Sequence, residues 1–317
     1  MIDAVGKRAI DAAVELGLFE FLGSTGRSNE QLVEATGLSI RGLRPLLSLL
    51  GALGLLSETD GLYALAGDAQ DFLSSWPSRR TSIPDAPDWE GLVEAVRTGR
   101  PTRSPIEGEN DGGDFFSGVV STLFGFHMPI ARHYAEQLPE SMETILDLGA
   151  GSAVWSLALA KQRPSVQVVA VDHQRVLDEM TSRFVEEHGV LEQYELRPGS
   201  YHDVALEDDL YDLYDLVYLG HVIHSEGWEA SRSLLRRCFS ALRPGGRLAI
   251  AEWIASEPRS DDYHAALFDL NMLMFTRHGL VFTAPEMELL ASECGFQEPR
   301  WIDGPGKYPV LEVRRDS

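Results

Sequence analysis

The chain has few cysteines and few basic residues, and both shortages limit what the protein can be. Only two of its 317 residues are cysteines, Cys238 and Cys294. Both fall in apparently helical stretches, so we expect buried thiols in a reducing compartment. Lys and Arg number 27 against 49 Asp and Glu, a formal net charge of −22. Nucleic-acid binding needs basic surface to neutralise phosphates, so no nucleic-acid partner is expected.

Long apolar runs are also missing. No run of 18 or more apolar residues occurs, so we expect neither a transmembrane helix nor a membrane partner. The opening residues, MIDAVGKR, lack the basic and then apolar pattern of a secretory signal peptide. These absences predict a cytoplasmic protein. The 44% hydrophobic and 24% charged content is that of a globular chain, long enough for one large domain and a small one.

What the chain does have is a glycine turn between a strand and a helix, at residues 143–155, ETILDLGAGSAVW. Glycines such as Gly149 and Gly151 let the backbone pass close to a ligand, and the helix that follows offers free N–H groups. A second apolar strand ends in Asp172, 23 residues after Gly149 (172 − 149). A ribose-binding carboxylate lies at about this spacing in nucleotide-binding βαβ units.

From residue 143 onward, short apolar strands alternate with helical stretches. This alternation predicts an α/β fold with a doubly wound, Rossmann-like parallel sheet that binds ligands at the carboxyl ends of its strands. The predicted strands are 143–149, 166–172, 194–198, 213–219 and 247–253, and the predicted helices are 153–162, 174–188, 228–242, 263–276 and 284–294. Extended pieces are predicted at 300–302 and 308–313.

The N-terminal region predicts a winged helix, which is three helices followed by a small β-hairpin. The first helix covers 4–23, Ser28 and Ser39 begin the second and third, and Asp60-Gly61 forms the hairpin tip.

A winged helix can bind DNA, and that alternative rests on Arg41 and Arg44 of the third helix. Residues 1–85 hold seven Lys/Arg against eleven Asp/Glu, so the basic face that groove binding requires is missing. The leucine-rich third helix is better explained by packing, within the domain or against a second subunit.

Residues 74–113 predict a linker with a short helix near 88–97. A helical stretch follows at 114–138, and Pro129 kinks or restarts it.

Five stretches in this order resemble the class I S-adenosylmethionine (SAM)-dependent O-methyltransferases of the small-molecule, bacterial natural-product type. They are ELGLFEFL…LVEATGLSIRGLRPLLSLLGALGLLSETDGLYAL, ILDLGAGSA, VVAVDH, HVIHSEGWEASRSLLRRCFSALRPGGRLAIAEW and DLNMLMFTRHGLVFTAPEMELLASECGF. The resemblance implies a winged-helix dimerisation domain at 1–85, a linker with pocket-forming helices at 86–140 and a SAM-binding domain at 141–317. It also implies a homodimer formed through the N-terminal domain.

The resemblance implies that the cofactor is SAM, which becomes S-adenosylhomocysteine (SAH). The positions that match the family's cofactor contacts are Asp147, Gly149, Ala150, Gly151, Asp172, His173, Ser200, Tyr201 and Gly220. Two positions depart from the family pattern. Ser200 stands where many members have an aspartate near the adenine, and Ala153 replaces the last glycine of the turn.

The resemblance also implies the reaction, which is methylation of a hydroxyl on a small, aromatic acceptor. A hydroxyl loses its proton as it attacks, and histidine is suited to accept it near neutral pH. His224 matches the family's catalytic histidine, and Glu252, 28 residues later (252 − 224), matches the acid that orients it. Ser225 and Val281 replace two acids found in plant members.

The acceptor pocket is expected to use side chains from several helices. Candidates are Phe116, Phe124, Phe126, His127, Trp155, Asn271, Met272, Phe275 and Thr276, with ordinary core packing as the alternative for each apolar residue. No metal is expected, although His221 and His224 lie three residues apart and a 2-His-1-carboxylate site is conceivable.

Two other functions stay open. One is a same-fold enzyme that methylates carbon or uses SAM for decarboxylation, hydroxylation or cyclisation. The other is a SAM- or DNA-binding regulator without catalysis.

Overall fold

The computed structural model describes residues 2–22, 26–76, 89–102, 112–202, 204, 213–304 and 308–316, with backbone only at 112–122. The chain divides into two compact units. The first contains Met1–Ile106 and Ala255–Ala284, and the second contains Glu107–Ile254 and Pro285–Ser317. The division by function at 85 and 140, made from the sequence, stays a prediction.

Within the described residues, the α-helices are α1 (Ala4–Glu15), α2 (Leu18–Phe21), α3 (Asn29–Thr36), α4 (Ile40–Ala52), α5 (Ala69–Ser75), α6 (Leu92–Thr98), α7 (Gly112–Glu136), α8 (Val154–Gln162), α9 (Gln174–Val176), α10 (Ser182–Glu187), α11 (Ile223–Ala241), α12 (Tyr263–Phe275) and α13 (Ala284–Glu293). The strands are β1 (Leu56–Thr59), β2 (Leu62–Leu65), β3 (Thr144–Leu148), β4 (Gln167–Asp172), β5 (Tyr194–Pro198), β6 (Tyr214–Gly220), β7 (Leu242–Ala251), β8 (Gln297–Ile302) and β9 (Val310–Arg314). Among these helices, none is long and apolar enough to span a membrane.

The first unit contains the predicted winged helix. Ser28 and Gln31 form a capping box at the start of α3, as the sequence indicated. Ser39 precedes α4, but its side chain makes no capping hydrogen bond. The first predicted helix is two helices, because Gly17 takes φ +67° between α1 and α2. The hairpin tip lies at Asp60-Gly61, where both residues have positive φ, as in the type I′ turns that suit right-twisted strands.

Helix α4 is packed inside this unit. Its leucines are buried, and Arg41 donates hydrogen bonds to the carbonyl oxygens of Gly99, Met272 and Thr276 at 2.7, 3.0 and 2.9 Å. Arg44 lies 3.3 Å from both carboxylate oxygens of Asp269. The two cations that a DNA-reading helix would present therefore bind other parts of the same unit.

The second unit is built on a sheet that, among the described residues, has the strand order β5-β4-β3-β6-β7-β9-β8. The five strands from β5 to β7 are parallel, and β9 pairs antiparallel with both β7 and β8. The predicted fold class is confirmed. The chain runs outward from β3 to β5 and then returns to β6 beside β3, so the switch point at which such sheets bind ligands lies between β3 and β6.

Helix α7 is continuous through Pro129, so of the two predicted alternatives the restart does not occur in its backbone. Two further local predictions differ from the structure. The Arg243-Pro-Gly-Gly turn is an irregularity inside β7, where the pairing jumps from Tyr214↔Leu242 to Leu216↔Arg247. Helix α11 begins five residues before the predicted 228, but Gly227 is non-helical at φ +73°, so residues 223–226 are a separate turn.

We expect Arg41→Ala to lower the free energy of unfolding by about 2 to 3 kcal/mol, because it leaves several buried carbonyl groups without a charged donor. A urea titration followed by circular dichroism measures this. The matched control is Arg97→Ala, whose side chain is 52% exposed and pairs with Glu94 on the same helix. The control should change stability by less than about 0.5 kcal/mol. Equal effects from both variants would contradict the role given to Arg41.

Candidate active site

The glycine turn after β3 has the backbone that close approach of a ligand requires. Gly149 and Gly151 have φ values of +71° and +53°, and Gly149 N donates to Val171 O at 2.9 Å. A Cβ on Gly149 would come within 2.8 Å of the Val222 side chain. Ala153 also has positive φ, at +55°, a conformation that costs a non-glycine residue about 1 kcal/mol or more. The turn therefore forms without the family's last glycine, at some cost in strain.

Asp172 braces this turn from the end of β4. Its carboxylate accepts from the backbone N–H of Gly151 at 2.9 Å and from that of His173 at 2.7 Å. Burial raises the pKa of Asp172, and these two bonds oppose the rise. A carboxylate has about four lone-pair positions, so two such bonds leave capacity for two ribose hydroxyls.

Asp147 lies beneath the turn rather than in the open. It is buried, and Ser156 Oγ donates to its carboxylate at 2.5 Å. Burial raises the pKa of Asp147 to about 7, although the bond from Ser156 lowers it. Asp147 is therefore tied to the first turn of α8, and its role at the cofactor stays a prediction.

Tyr201 and Gly220 lie on either side of the turn. A Cβ on Gly149 would lie 3.5 Å from Tyr201 Cδ1, and one on Gly220 would lie 2.4 Å from the Trp155 indole. The structure therefore brings Tyr201 to Gly149, and Trp155 to Gly220. Ser200, next to Tyr201, uses its Oγ to accept from His202 N at 3.2 Å.

His224 and Glu252 meet at the ends of neighbouring strands. His224 follows β6, and Glu252 follows β7 and is only 1% exposed. His224 Nδ1 lies 2.8 Å from Glu252 Oε2, and the backbone N–H of His224 donates to Glu252 Oε1 at 3.2 Å. The side chain and the backbone of one histidine therefore bind the two oxygens of one carboxylate.

Other aromatic side chains surround this pair. The rings of His127 and His221 stack at 4.1 Å between centroids, and Tyr308 lies edge-on to both at 4.8 and 4.9 Å. Trp155 lies 5.9 Å from His127, and Trp253 lies 5.2 Å from Tyr308. Sequence reasoning missed Tyr308 and Trp253, because no local pattern marks a side chain that reaches the site from a distant segment.

Burial controls the charge of the two stacked histidines. It lowers the pKa of His127 to about 4 and that of His221 well below its ordinary value. Their Nε2 atoms are buried and have no hydrogen-bond partner within the described part of the chain. Both rings are therefore neutral near pH 7.

Three side chains here could hold a metal ion. The donor atoms of His221, His224 and Glu252 all lie within 4.8 Å of one another. Imidazole and carboxylate together suit several first-row transition metals. The expectation of a metal-free site therefore stays a prediction.

The predicted pocket residues do not all come together. His127 and Trp155 meet near His221, but the Phe124 ring stacks on Phe184 at 4.3 Å, and Phe126 is 64% exposed. Helical geometry explains this, because neighbouring residues of α7 point about 100° apart. Asn271, Met272 and Phe275 lie on α12 of the first unit, and Thr276 follows it. The side chain of Phe116 lies outside the described residues.

Comparison with known proteins identifies the family. The profile for an O-methyltransferase domain matches residues 132–297, just over half of the chain, and that for an O-methyltransferase dimerisation domain matches residues 4–75. The chain belongs to the family of SAM-dependent O-methyltransferases. The glycine turn, the carboxylate of Asp172 and the close approach at Gly149 fit the cofactor of this family.

Individual relatives and one solved structure are similar to most of the chain. The 3-hydroxy-5-methyl-1-naphthoate 3-O-methyltransferase of Streptomyces sahachiroi is 27% identical over 93% of this chain and 87% of its own. The L-tyrosine C(3)-methyltransferase of Streptomyces lavendulae is 25% identical over 95% and 86%. A crystal structure of an O-methyltransferase family 2 protein from Planctomyces limnophilus, in complex with apigenin, shares the fold with a TM-score of 0.80, at 20% identity over 98% and 92%.

For this methyltransferase we expect Gly149→Ala to weaken SAH binding more than tenfold, because the added methyl group closes the turn against Val222. Calorimetric titration with SAH measures the change. The matched control is Gly189→Ala, which has the same φ of +71° but nothing within 4 Å of the added Cβ. Both variants carry a similar backbone strain, so only loss of binding confined to Gly149→Ala supports a ligand at the turn.

Proposed function

We propose that this O-methyltransferase methylates a hydroxyl group of a small aromatic natural-product intermediate, with His224 as the general base and Glu252 as the residue that orients it. The observation that carries the proposal is the 2.8 Å contact between His224 Nδ1 and the buried carboxylate of Glu252. This pair follows β6 and β7, and β6 lies beside β3, which leads into the glycine turn.

The contact with Glu252 selects the form of His224 that can act as a base. A carboxylate accepts hydrogen bonds, so the proton of the neutral imidazole lies on Nδ1 and the basic lone pair lies on Nε2. The second bond, from the backbone N–H of His224, holds the ring at the start of α11. When Nε2 takes a proton, the carboxylate stabilises the imidazolium that forms.

SAM, held by the glycine turn and Asp172, would supply a methyl group on a sulfonium, with the neutral thioether as the leaving group for displacement by the acceptor oxygen. The chain's own residues do the rest. His224 removes the hydroxyl proton as the oxygen attacks, and the turn and the aromatic walls hold the partners in line, which accounts for much of the rate of such a displacement.

The walls favour a flat, apolar acceptor. The rings of His127, His221, Trp155 and Tyr308 are contiguous, and the two imidazoles are neutral near pH 7, so they offer π surface without charge. A naphthoate derivative named for one relative and the apigenin in one structure of the same fold are both aromatic. These observations support an aromatic acceptor for this enzyme.

Methylation of carbon is the second candidate. A relative of similar identity is named as an L-tyrosine C(3)-methyltransferase, so 25% identity is compatible with attack by an aromatic carbon. Ser225 and Val281, in place of acids that plant members have, favour the same alternative. His224 would then remove the phenolic proton and activate the ring.

We expect His224→Ala to lower kcat at least a hundredfold, because it removes the group that takes the proton. Glu252→Gln should lower kcat about tenfold or more, because the amide no longer fixes the imidazole proton on Nδ1. Single-turnover transfer from methyl-labelled SAM to a panel of phenolic acceptors measures both. His133→Ala, a surface histidine that contacts Gln137, is the control and should keep full activity.

The position of the new methyl group decides between the two candidates. A carbon chemical shift near that of a methoxy group supports O-methylation, and one near that of an aryl methyl group supports C-methylation. If His224→Ala keeps its rate at neutral pH, His224 is not the base in either reaction.

We also propose that the protein forms a homodimer through its N-terminal domain. The match to a dimerisation domain at residues 4–75 and the apolar side chains of Val14, Ile40 and Leu62, which are exposed in the single chain, support this. Sedimentation equilibrium should give twice the 35.0 kDa of one chain. A purely monomeric mass at micromolar concentration would contradict the proposal.

A further inference from the structure

One position at the adenine side of the cofactor site departs from the family pattern. The resemblance places an aspartate of many family members at position 200, where this chain has Ser200. The serine is an uncharged acceptor, and its hydroxyl oxygen already accepts from His202 N within the same loop. An aspartate at position 200 would present a negatively charged acceptor here, and Ser200 carries no charge.

A carboxylate reaches the same loop from another element. Glu226 lies two residues after His224, in the short turn that begins α11. Tyr201 Oη donates to Glu226 Oε1 at 2.7 Å, and His202 Nε2 lies 2.7 Å from Glu226 Oε2. The side chains of both residues that follow Ser200 therefore bind the carboxylate of Glu226.

This carboxylate lies close to the glycine turn. The Tyr201 ring that it holds would be 3.5 Å from a Cβ on Gly149, the first glycine of that turn. Ser225 Oγ also lies 3.4 Å from Glu226 Oε1. The Glu226 carboxylate is thus part of the surface that runs from the glycine turn to the loop after β5.

Glu226 is charged and has capacity for another donor. Burial disfavours its charge, but the bonds from His202 and Tyr201 outweigh this and keep the pKa of Glu226 below its ordinary value. Its side chain is 14% exposed, so a ligand in the site can reach it. An ionised carboxylate only accepts hydrogen bonds, and two strong donors leave about half of its lone-pair positions available.

We propose that Glu226 binds the exocyclic amino group of the cofactor's adenine and so replaces, from α11, the acid that is missing at position 200. The adenine amino group is a donor, and the carboxylate of Glu226 is the matching acceptor. Hypoxanthine carries a carbonyl oxygen at the same position, which a carboxylate repels. Glu226 would therefore make the site selective for adenosyl over inosyl cofactors. This inference concerns the cofactor of the family and does not depend on the proposed role of His224.

The test compares SAH with S-inosylhomocysteine by calorimetric titration at pH 7.5. These two ligands differ in the group at position 6 of the purine and in the proton that hypoxanthine carries on the adjacent N1. The wild-type protein should prefer SAH at least tenfold, the effect of one charge-assisted hydrogen bond. In Glu226→Gln the preference should fall to about threefold or less, because the amide can donate to the carbonyl oxygen of hypoxanthine. In the double variant Ser200→Asp/Glu226→Gln, the preference should return.

Two control variants distinguish direct recognition of the adenine by Glu226 from structural support of the Tyr201 side chain. Tyr201→Phe removes the hydroxyl that binds Glu226 but keeps the carboxylate, so the preference for SAH should persist even if both ligands bind more weakly. Glu195→Gln removes an exposed acid of β5 that pairs with Arg197, and it should leave both affinities unchanged.

Two results would overturn the proposal. One is a wild-type protein that binds both ligands equally. The other is a preference that is unchanged in Glu226→Gln; if both affinities then fall by the same factor, Glu226 only supports Tyr201. A protein that binds SAH with the expected preference but transfers no methyl group would leave this inference standing while the roles of His224 and Glu252 fail.

Discussion

The buried carboxylate of Glu252 is the constraint on which the site depends. An ionised acid at the end of a central strand, 1% exposed, costs several kcal/mol unless donors satisfy it. His224 supplies two, from its ring and its backbone, so the start of α11 is tied to the end of β7. The connection between β6 and α11 is short. Within it, His221 has a positive φ of +58°, and its backbone N–H donates to Ala251 O. The orientation of His224 follows from the need to satisfy Glu252.

A second carboxylate, on the other side of the switch point, is satisfied by hydrogen bonds in the same way. Asp172 ends β4, and its carboxylate is satisfied by the backbone N–H groups of Gly151 and His173, just as Glu252 is satisfied by the residues after β6. Each acid therefore holds the conformation of a turn at the carboxyl edge of the sheet. The polar groups to which the proposal assigns roles in methyl transfer are thus also the ones that keep these strand ends from leaving buried charges unpaired.

Local patterns made most of the fold predictable. The glycine turn, the parallel strands and the capping box of Ser28 depend on neighbours in sequence, and the structure has them. The walls of the site were less predictable, because Tyr308 meets His127 from 181 residues away (308 − 127), and no local pattern carries that distance. Glu226 was missed for the same reason, since its partners lie 25 and 24 residues before it. Phe124 was assigned to the pocket from an aromatic-rich run, which does not tell which helix face meets which neighbour.

Three histidines, His127, His221 and His224, lie together at this site, and their burial and hydrogen-bond partners distinguish their proposed roles. A base at neutral pH must hold a proton once it has taken one, and burial that no hydrogen-bonded charge offsets disfavours this. Burial brings the pKa of His127 to about 4 and that of His221 well below its ordinary value, and their Nε2 atoms lack partners within the described chain. His221 Nδ1 lies 3.9 Å from Glu252, too far for a hydrogen bond, whereas His224 Nδ1 lies at 2.8 Å. Only the second distance lets the carboxylate share a charge, which supports the proposal that His224 is the base and that its two neighbours form uncharged walls.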